Sequence, residues 1–225
     1  MVYVTGDIHG DIRRFQTPET KRLKKTDTLI VCGDFGFTWE QDKGEQKKLH
    51  WIGKRRYTTL FVEGTHENFK ALEQYPEVEL YGGRVRQLGK HLYQLRRGEV
   101  YEIDGQKFFA FGGGDLDEDE ERIEGVNWLV GEEPSQQDIE NAVDQLNRVD
   151  WTVDYIVSHD ISSKIKGFMA MEDDQYTQMH TFFDEIAERV KFRHWYFGHY
   201  HLDRVISPVM TAVYQKVVPV DSWPR

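Results

Sequence analysis

Residues 196–201 read "YFGHYH": an apolar run closes on Gly198 and then places His199 and His201 two positions apart. The same arrangement recurs along the chain. "VYVTGDIHG" (residues 2–10) delivers Asp7 and His9, "TLIVCGD" (28–34) delivers Asp34, "LFVEGTHE" (60–67) delivers His66, and "YIVSHD" (155–160) delivers His159. The apolar stretches are continuous rather than alternating, which marks strands buried on both faces. In open α/β sheets the carboxyl ends of the strands converge on the ligand crevice, so these polar residues are expected to meet in space. A lone histidine beside a strand is more often a satisfied core or surface residue, and an aspartate after a strand is commonly a turn residue. Recurrence at the same structural position in all of these segments favours a shared site.

Two aspartates and up to five histidines offer oxygen and nitrogen donors without a thiolate. That set suits Mn²⁺, Fe or Zn²⁺ and differs from a structural, cysteine-based zinc site. A catalytic metal ordinarily takes about three protein ligands, so the set is sized for two divalent ions about 3.5 to 4 Å apart with one carboxylate between them. The pairs Asp7/His9 and His199/His201 fit a sharp turn after a strand better than a helix face, with Gly6, Gly10 and Gly198 relaxing the backbone. Other chemistries find little support. G-x-S-x-G and H-E-x-x-H are absent, and "FGGGD" (111–115) matches neither a P-loop nor a dinucleotide fingerprint and reads as a turn.

Helical patterns lie between the strands. Residues 135–148 open on a Ser-x-x-Asp cap signature and carry Ile139, Val143 and Leu146 on one face. Residues 172–190 put Tyr176, Met179, Phe183, Ile186 and Val190 on a core-facing stripe. From about 78 to 112 closely spaced strands, "HLYQL", "EVYEI" and "KFFAFGG", with a hairpin signal at "IDGQ", predict an antiparallel meander. "VMTAVYQKVVPV" (209–220) adds a further strand pair. The sum is a mixed α/β protein with two facing sheets. With no repeat or linker in its 225 residues, the chain is expected to form one domain, 1–225.

A net charge of −10 argues against binding along a nucleic-acid backbone, and the basic clusters "KRLKK" (21–25) and "KRR" (54–56) read as solvated surface. The acidic run at 114–124 lacks EF-hand spacing and reads as a solvated loop or helix start. No window approaches a membrane span and the N-terminus lacks a signal-like apolar region, so a cytoplasmic protein is expected. The single cysteine, Cys32, lies in a strand and reads as inert core.

With these residues in view, the chain resembles the calcineurin-like metallophosphoesterases, whose motifs run D-x-H, G-D, G-N-H-[E/D], an isolated H, and G-H-x-H. Here they stand as "GDIHG", "GDFG", "GTHEN", "SHD" and "GHYH", from residue 6 to residue 201. The resemblance implies a four-layer αββα sandwich of two mixed β-sheets flanked by helices, with a dinuclear site at one edge. It implies that Asp7, His9 and His201 hold the first ion, that Asp34 bridges, and that His159 and His199 hold the second, with Mn²⁺ favoured over Fe and Zn²⁺. The implied reaction is attack on phosphorus by a metal-bridging water or hydroxide, with the non-ligand His66 protonating the leaving oxygen or steadying the transition state. A small phosphomonoester or phosphodiester, nucleotide-like among others, is the implied substrate; no protein partner is indicated.

Two departures stand out. Thr65 replaces the family asparagine, a shorter and weaker ligand. The second ion is therefore expected to bind loosely, to take a water in that place, or to be absent, and nearby Asn68 compensates only if its side chain is not committed to starting a helix. "GDFGFTW" lacks the Asp and Arg of the protein Ser/Thr phosphatase branch. Phe35, Phe37 and Trp39 stand there instead, as core packing or as an apolar wall for a nucleoside or aryl group. Arg13, Arg14, Arg84 and Arg204 are candidates for holding a phosphate. Besides phosphoester hydrolysis, two other functions are weighed. A nuclease would need a basic groove that the composition does not advertise, and a metal-binding or protein-interaction module of the same fold would turn over weakly or not at all because of Thr65.

Overall fold

A computed structural model describes residues 1–114, 131–169 and 177–222. The runs read as strands form β1 (Val2–Thr5), β2 (Thr28–Cys32) and β3 (Thr58–Val62). After them come β4 (Glu77–Leu80), β5 (Gly83–Gly89), β6 (Leu92–Leu95), β7 (Glu99–Ile103), β8 (Gln106–Phe111) and β9 (Tyr155–Ser158). The chain finishes with β10 (His194–Phe197), β11 (Arg204–Ser207), β12 (Met210–Ala212) and β13 (Val218–Pro219). The helices are α1 (Pro18–Arg22), α2 (Lys43–Gly53), α3 (Phe69–Leu72), α4 (Gln136–Arg148), α5 (Ser163–Phe168) and α6 (Gln178–Arg189). One sheet has the order β13-β1-β2-β3-β6-β5-β4 and the other β11-β12-β10-β9-β8-β7.

Alternating residues of each central strand feed different cores, which is why the runs are apolar throughout. On β2, Leu29 and Val31 pack with Phe15, Leu49 and Ile52 under the helices of the first sheet. Ile30 and Cys32 turn the other way and join Leu60, Ala110, Val157 and Tyr196 between the sheets. On β10, Tyr196 faces that middle core while Trp195 and Phe197 pack with Leu146, Phe182 and Phe183 under α4 and α6. Helix, sheet, sheet and helix thus form four layers held by three cores. Each fully buried large side chain contributes roughly 1.5–3 kcal/mol, and Cys32 is one of these core residues, as its sequence context indicates.

Within the first sheet β1, β2 and β3 are parallel neighbours, and β9 and β10 are parallel neighbours in the second. Their carboxyl ends therefore lie along one edge of each sheet. The two edges touch: a side-chain carbon built on Gly198, after β10, would lie 2.1 Å from the Cys32 carbonyl oxygen at the end of β2.

The hairpin at 103–106 forms as expected, with Asp104 and Gly105 both left-handed (φ 54° and 74°). The meander, however, is divided. β4, β5 and β6 pair antiparallel in the first sheet, whereas β7 and β8 pair in the second, the chain crossing over at residues 96–98. The C-terminal stretch is also split, because β12 pairs with β11 while β13 closes against β1. α4 begins at its predicted cap with a complete Ser135/Asp138 capping box. α6 starts at Gln178, with Met179, Phe183, Ile186 and Val190 buried; Tyr176 and residues 115–124 of the acidic run lie outside the described residues. Among the described residues no helix is long and apolar enough to cross a membrane.

Candidate metal centre

The turns after β1 and β2 run side by side, joined by Asp7 N–H to Gly33 O (3.2 Å), His9 N–H to Asp34 O (2.8 Å) and Gly10 N–H to Phe35 O (3.1 Å). This pairing bends the backbone sharply. Asp7, His9, Asp34, His199 and His201 all adopt left-handed conformations, with φ between 46° and 68°. Aspartate and histidine tolerate that region better than most residues, but such clusters of strain mark functional sites. Gly10 is left-handed too (φ 67°), whereas Gly6 and Gly198 are not and are required for space: a side-chain carbon on Gly6 would meet Val213 O at 2.4 Å.

The turns bring the donors together. One ligand atom each from Asp7, His9, Asp34 and His201 falls within 4.8 Å of all the others. His9 Nε2 lies 2.8 Å from His201 Nε2 and 3.5 Å from Asp34 Oδ2. On the other side of Asp34, His159 Nε2 is 3.5 Å from Oδ1, and the His159 and His199 ring centroids are 5.0 Å apart. Asp7, Asp34 and His159 are buried, while His9, His66 and His201 are exposed at the mouth.

Secondary contacts fix these groups. Asp34 Oδ1 accepts the N–H groups of Thr65 (2.8 Å) and His66 (2.9 Å), and Asp7 Oδ1 accepts that of His199 (2.9 Å). The His201 ring stacks on Tyr214 with centroids 4.8 Å apart. Arg14 donates to the carbonyls of Gly6, Asp7 and Tyr214, bracing the first turn.

The electrostatics fit a cation. Burial, then the neighbouring Asp34 charge, push the Asp7 carboxyl well up. Burial opposes ionisation of Asp34 too, but the charges of His159, His66 and His9 and the His66 hydrogen bond hold it below the usual carboxylate range. Burial drives His159 down to about 4, so it is neutral and its lone pair is free to coordinate. Within the cluster, the buried atoms Asp7 Oδ2 and His159 Nε2 have no hydrogen-bond partner. With His159 Nδ1 3.3 Å from Cys32 O, Nε2 is the nitrogen left to accept. Orphaned acceptors among paired carboxylates cost stability, and a divalent cation reverses the penalty. The donor set is all oxygen and imidazole nitrogen, which suits Mn²⁺, Fe or Zn²⁺.

Of the sequence-predicted candidates, Asp7, His9, Asp34 and His201 converge, His159 lies beside Asp34, the His199 ring packs against His159, and His66 borders Asp34. His66 Nδ1 is 3.1 Å from Asp34 Oδ2, a hydrogen bond that lifts its pKa to about 9. Thr65 Oγ1 is engaged locally, 3.4 Å from Asp34 Oδ1 and 3.2 Å from His66 Nδ1. Asn68 caps α3, accepting Ala71 N–H, so it does not stand in for the missing asparagine. The apolar wall is not formed by Phe35 and Phe37: both are fully buried, with Phe35 stacked on Phe61 at 4.3 Å. Among the phosphate-binding candidates, Arg13 pairs with Asp11, Arg14 donates to backbone carbonyls and Arg84 pairs with Glu99. Sequence reasoning missed Glu67. Its carboxylate is fully buried and accepts Gly36 N–H (3.1 Å) and Gly64 N–H (2.7 Å), clamping the Asp34 turn to the His66 turn. Burial, then the Asp34 charge, push it up to about 8.

The calcineurin-like phosphoesterase family model matches residues 1–203, and the chain belongs to that family. No curated protein matches the chain. Among solved structures, a protein of unknown function from Aquifex aeolicus, AQ665, is similar, with 14% identity over 85% of this chain and 87% of its own and a TM-score of 0.37.

Proposed function

We propose that the chain is a metal-dependent phosphoesterase that hydrolyses a small phosphomonoester or phosphodiester at a dinuclear centre. The observation that carries this reading is the convergence of Asp7, His9, Asp34 and His201 within 4.8 Å, beside the orphaned buried acceptors of Asp7 and His159. Asp7, His9 and His201 would hold one ion, His159 and His199 the other, and Asp34 would lie between, with Mn²⁺ favoured. Bound there, the ions would supply Lewis acidity, activating water and neutralising phosphoryl oxygens.

The residues of the chain set the rest. The exposed edges of His9, His66 and His201 define the face by which the ester enters. His66, held by Asp34 through Nδ1 and exposed at the mouth, is placed to give a proton to the leaving oxygen. Glu67 keeps the two turns at a fixed spacing, and the backbone N–H groups of Thr65 and His66 keep the Asp34 carboxylate oriented. We also read residues 1–225 as one domain, because β13, beyond the family match, pairs with β1, and Tyr196 donates to Val220 O.

One feature favours a metal-binding module with little turnover: Thr65, whose hydroxyl is spent on Asp34 and His66. Hydrolysis of an aryl phosphomonoester and the matching diester, with Mn²⁺ or with EDTA, separates the two. Turnover that needs Mn²⁺ and falls at least 100-fold in His66→Ala is expected. Silence from the native chain with activity in Thr65→Asn would put the module reading first.

A further inference from the structure

A buried carboxylate that the proposed chemistry does not use lies behind the second-ion histidines. Asp160 follows His159 after β9 and is fully buried. Its Oδ1 accepts the Tyr200 hydroxyl at 2.6 Å and the Ile161 N–H at 2.7 Å, and its Oδ2 lies 2.9 Å from His180 Nε2. His180, equally buried in the first turn of α6, accepts the Thr177 N–H on Nδ1 (3.2 Å), which leaves Nε2 as the donor to Asp160. The Asp160 carbonyl accepts Ser158 Oγ (2.6 Å), and Ser158 in turn accepts the Trp195 indole N–H (2.7 Å).

Burying a carboxylate is expensive, and an apolar residue of similar volume commonly serves stability as well. What the carboxylate supplies is direction. Its donors come from three elements: the turn after β9, the turn after β10, and α6. Asp160 immediately follows His159, and Tyr200 immediately follows His199, so the 2.6 Å bond between them ties together the two turns that carry those histidines. Both Asp160 oxygens are engaged, which makes it a poor ligand and a good brace.

We infer that Asp160, with Tyr200 and His180, is a positioning residue that fixes the spacing of His159 and His199 and thereby the affinity of the second ion. The inference rests on the reading of those histidines as ligands. Of the first-ion donors, Asp7 and His9 belong to the opposite sheet, with Asp7 Oδ1 accepting the His199 N–H at 2.9 Å, while His201 follows Tyr200 in the chain.

The test uses the full chain, Tyr200→Phe and Asp160→Asn. Tyr200→Phe removes only a hydroxyl and keeps the question open if Asp160→Asn fails to fold. Mn²⁺ titration gives the affinity of each ion, and long-range proton–nitrogen correlation spectra of the metal-free protein report the His159 and His199 rings. In Tyr200→Phe the second ion is expected to bind at least tenfold more weakly, the first, which shares the turn only through His201, to weaken clearly less, and both ring signals to move. Unmoved ring signals, or equal weakening of both ions, would overturn the brace. If the native chain binds a single ion, the dinuclear reading fails, and the ring spectra, which need no metal, still decide whether Asp160 positions the histidines.

Discussion

Left-handed backbone at Asp7, His9, Asp34, His199 and His201 is the local cost of turning polar side chains inward at the end of apolar strands. Gly33 shows how little room the arrangement leaves. Its φ is +84°, and a side-chain carbon there would sit 2.0 Å from His159 Nδ1. Gly33→Ala is therefore expected to lose about 2–3 kcal/mol of stability and to displace His159. Chemical denaturation and Mn²⁺ titration check this, and an alanine variant matching the native chain in both would contradict it. At this scale the candidate cluster was legible because residue type, order and position after an apolar run all coincide. Glu67 and Asp160 were not, because an acidic residue beside a turn ordinarily reads as solvated surface, and only the packed fold reveals the donors that converge on each.

Among the elements, continuous apolar runs and capping signatures were readable because both are local. α4 opens on Ser135 with Asp138 returning the bond, as the sequence indicates. Ser135→Ala is expected to cost about 1 kcal/mol in thermal unfolding and to leave metal binding unchanged; a loss of metal would mean that α4 is coupled to the site. The division of the meander was not readable. Strand pairing within hairpins is set by turn residues such as Asp104 and Gly105, but which sheet a hairpin joins depends on long-range contacts. The crossover at 96–98 is fixed by Arg97, whose Nε lies 2.7 Å from Glu63 and whose Nη2 donates to the Gly131 and Glu132 carbonyls. Phe35 and Phe37 illustrate the same limit, since an aromatic beside a candidate ligand reads equally well as wall or core until its neighbours are known.

At the scale of the whole molecule, two sheets pack face to face and the carboxyl ends of their strands adjoin at the candidate centre, so acidification and metal both bear on stability. Buried His194, 2.8 Å from Thr211 Oγ1, is held down to about 4 from an ordinary 6.5 by burial. The unfolded chain takes up a proton that the folded chain refuses. Its contribution is therefore complete above pH 6.5 and is lost as the pH falls toward 4, an effect on the order of 2–3 kcal/mol. His194→Gln, which can keep a bond to Thr211, is expected to flatten that loss when denaturation is followed with a chelator present. An unchanged slope would place the acid sensitivity elsewhere.

The most direct measurement is anomalous diffraction from crystals grown with Mn²⁺. Two peaks are expected, one among Asp7, His9, Asp34 and His201 and a second, of equal or lower occupancy, among Asp34, His159 and His199. No peak at the joined edges, or one bound without Asp34, would contradict the dinuclear centre.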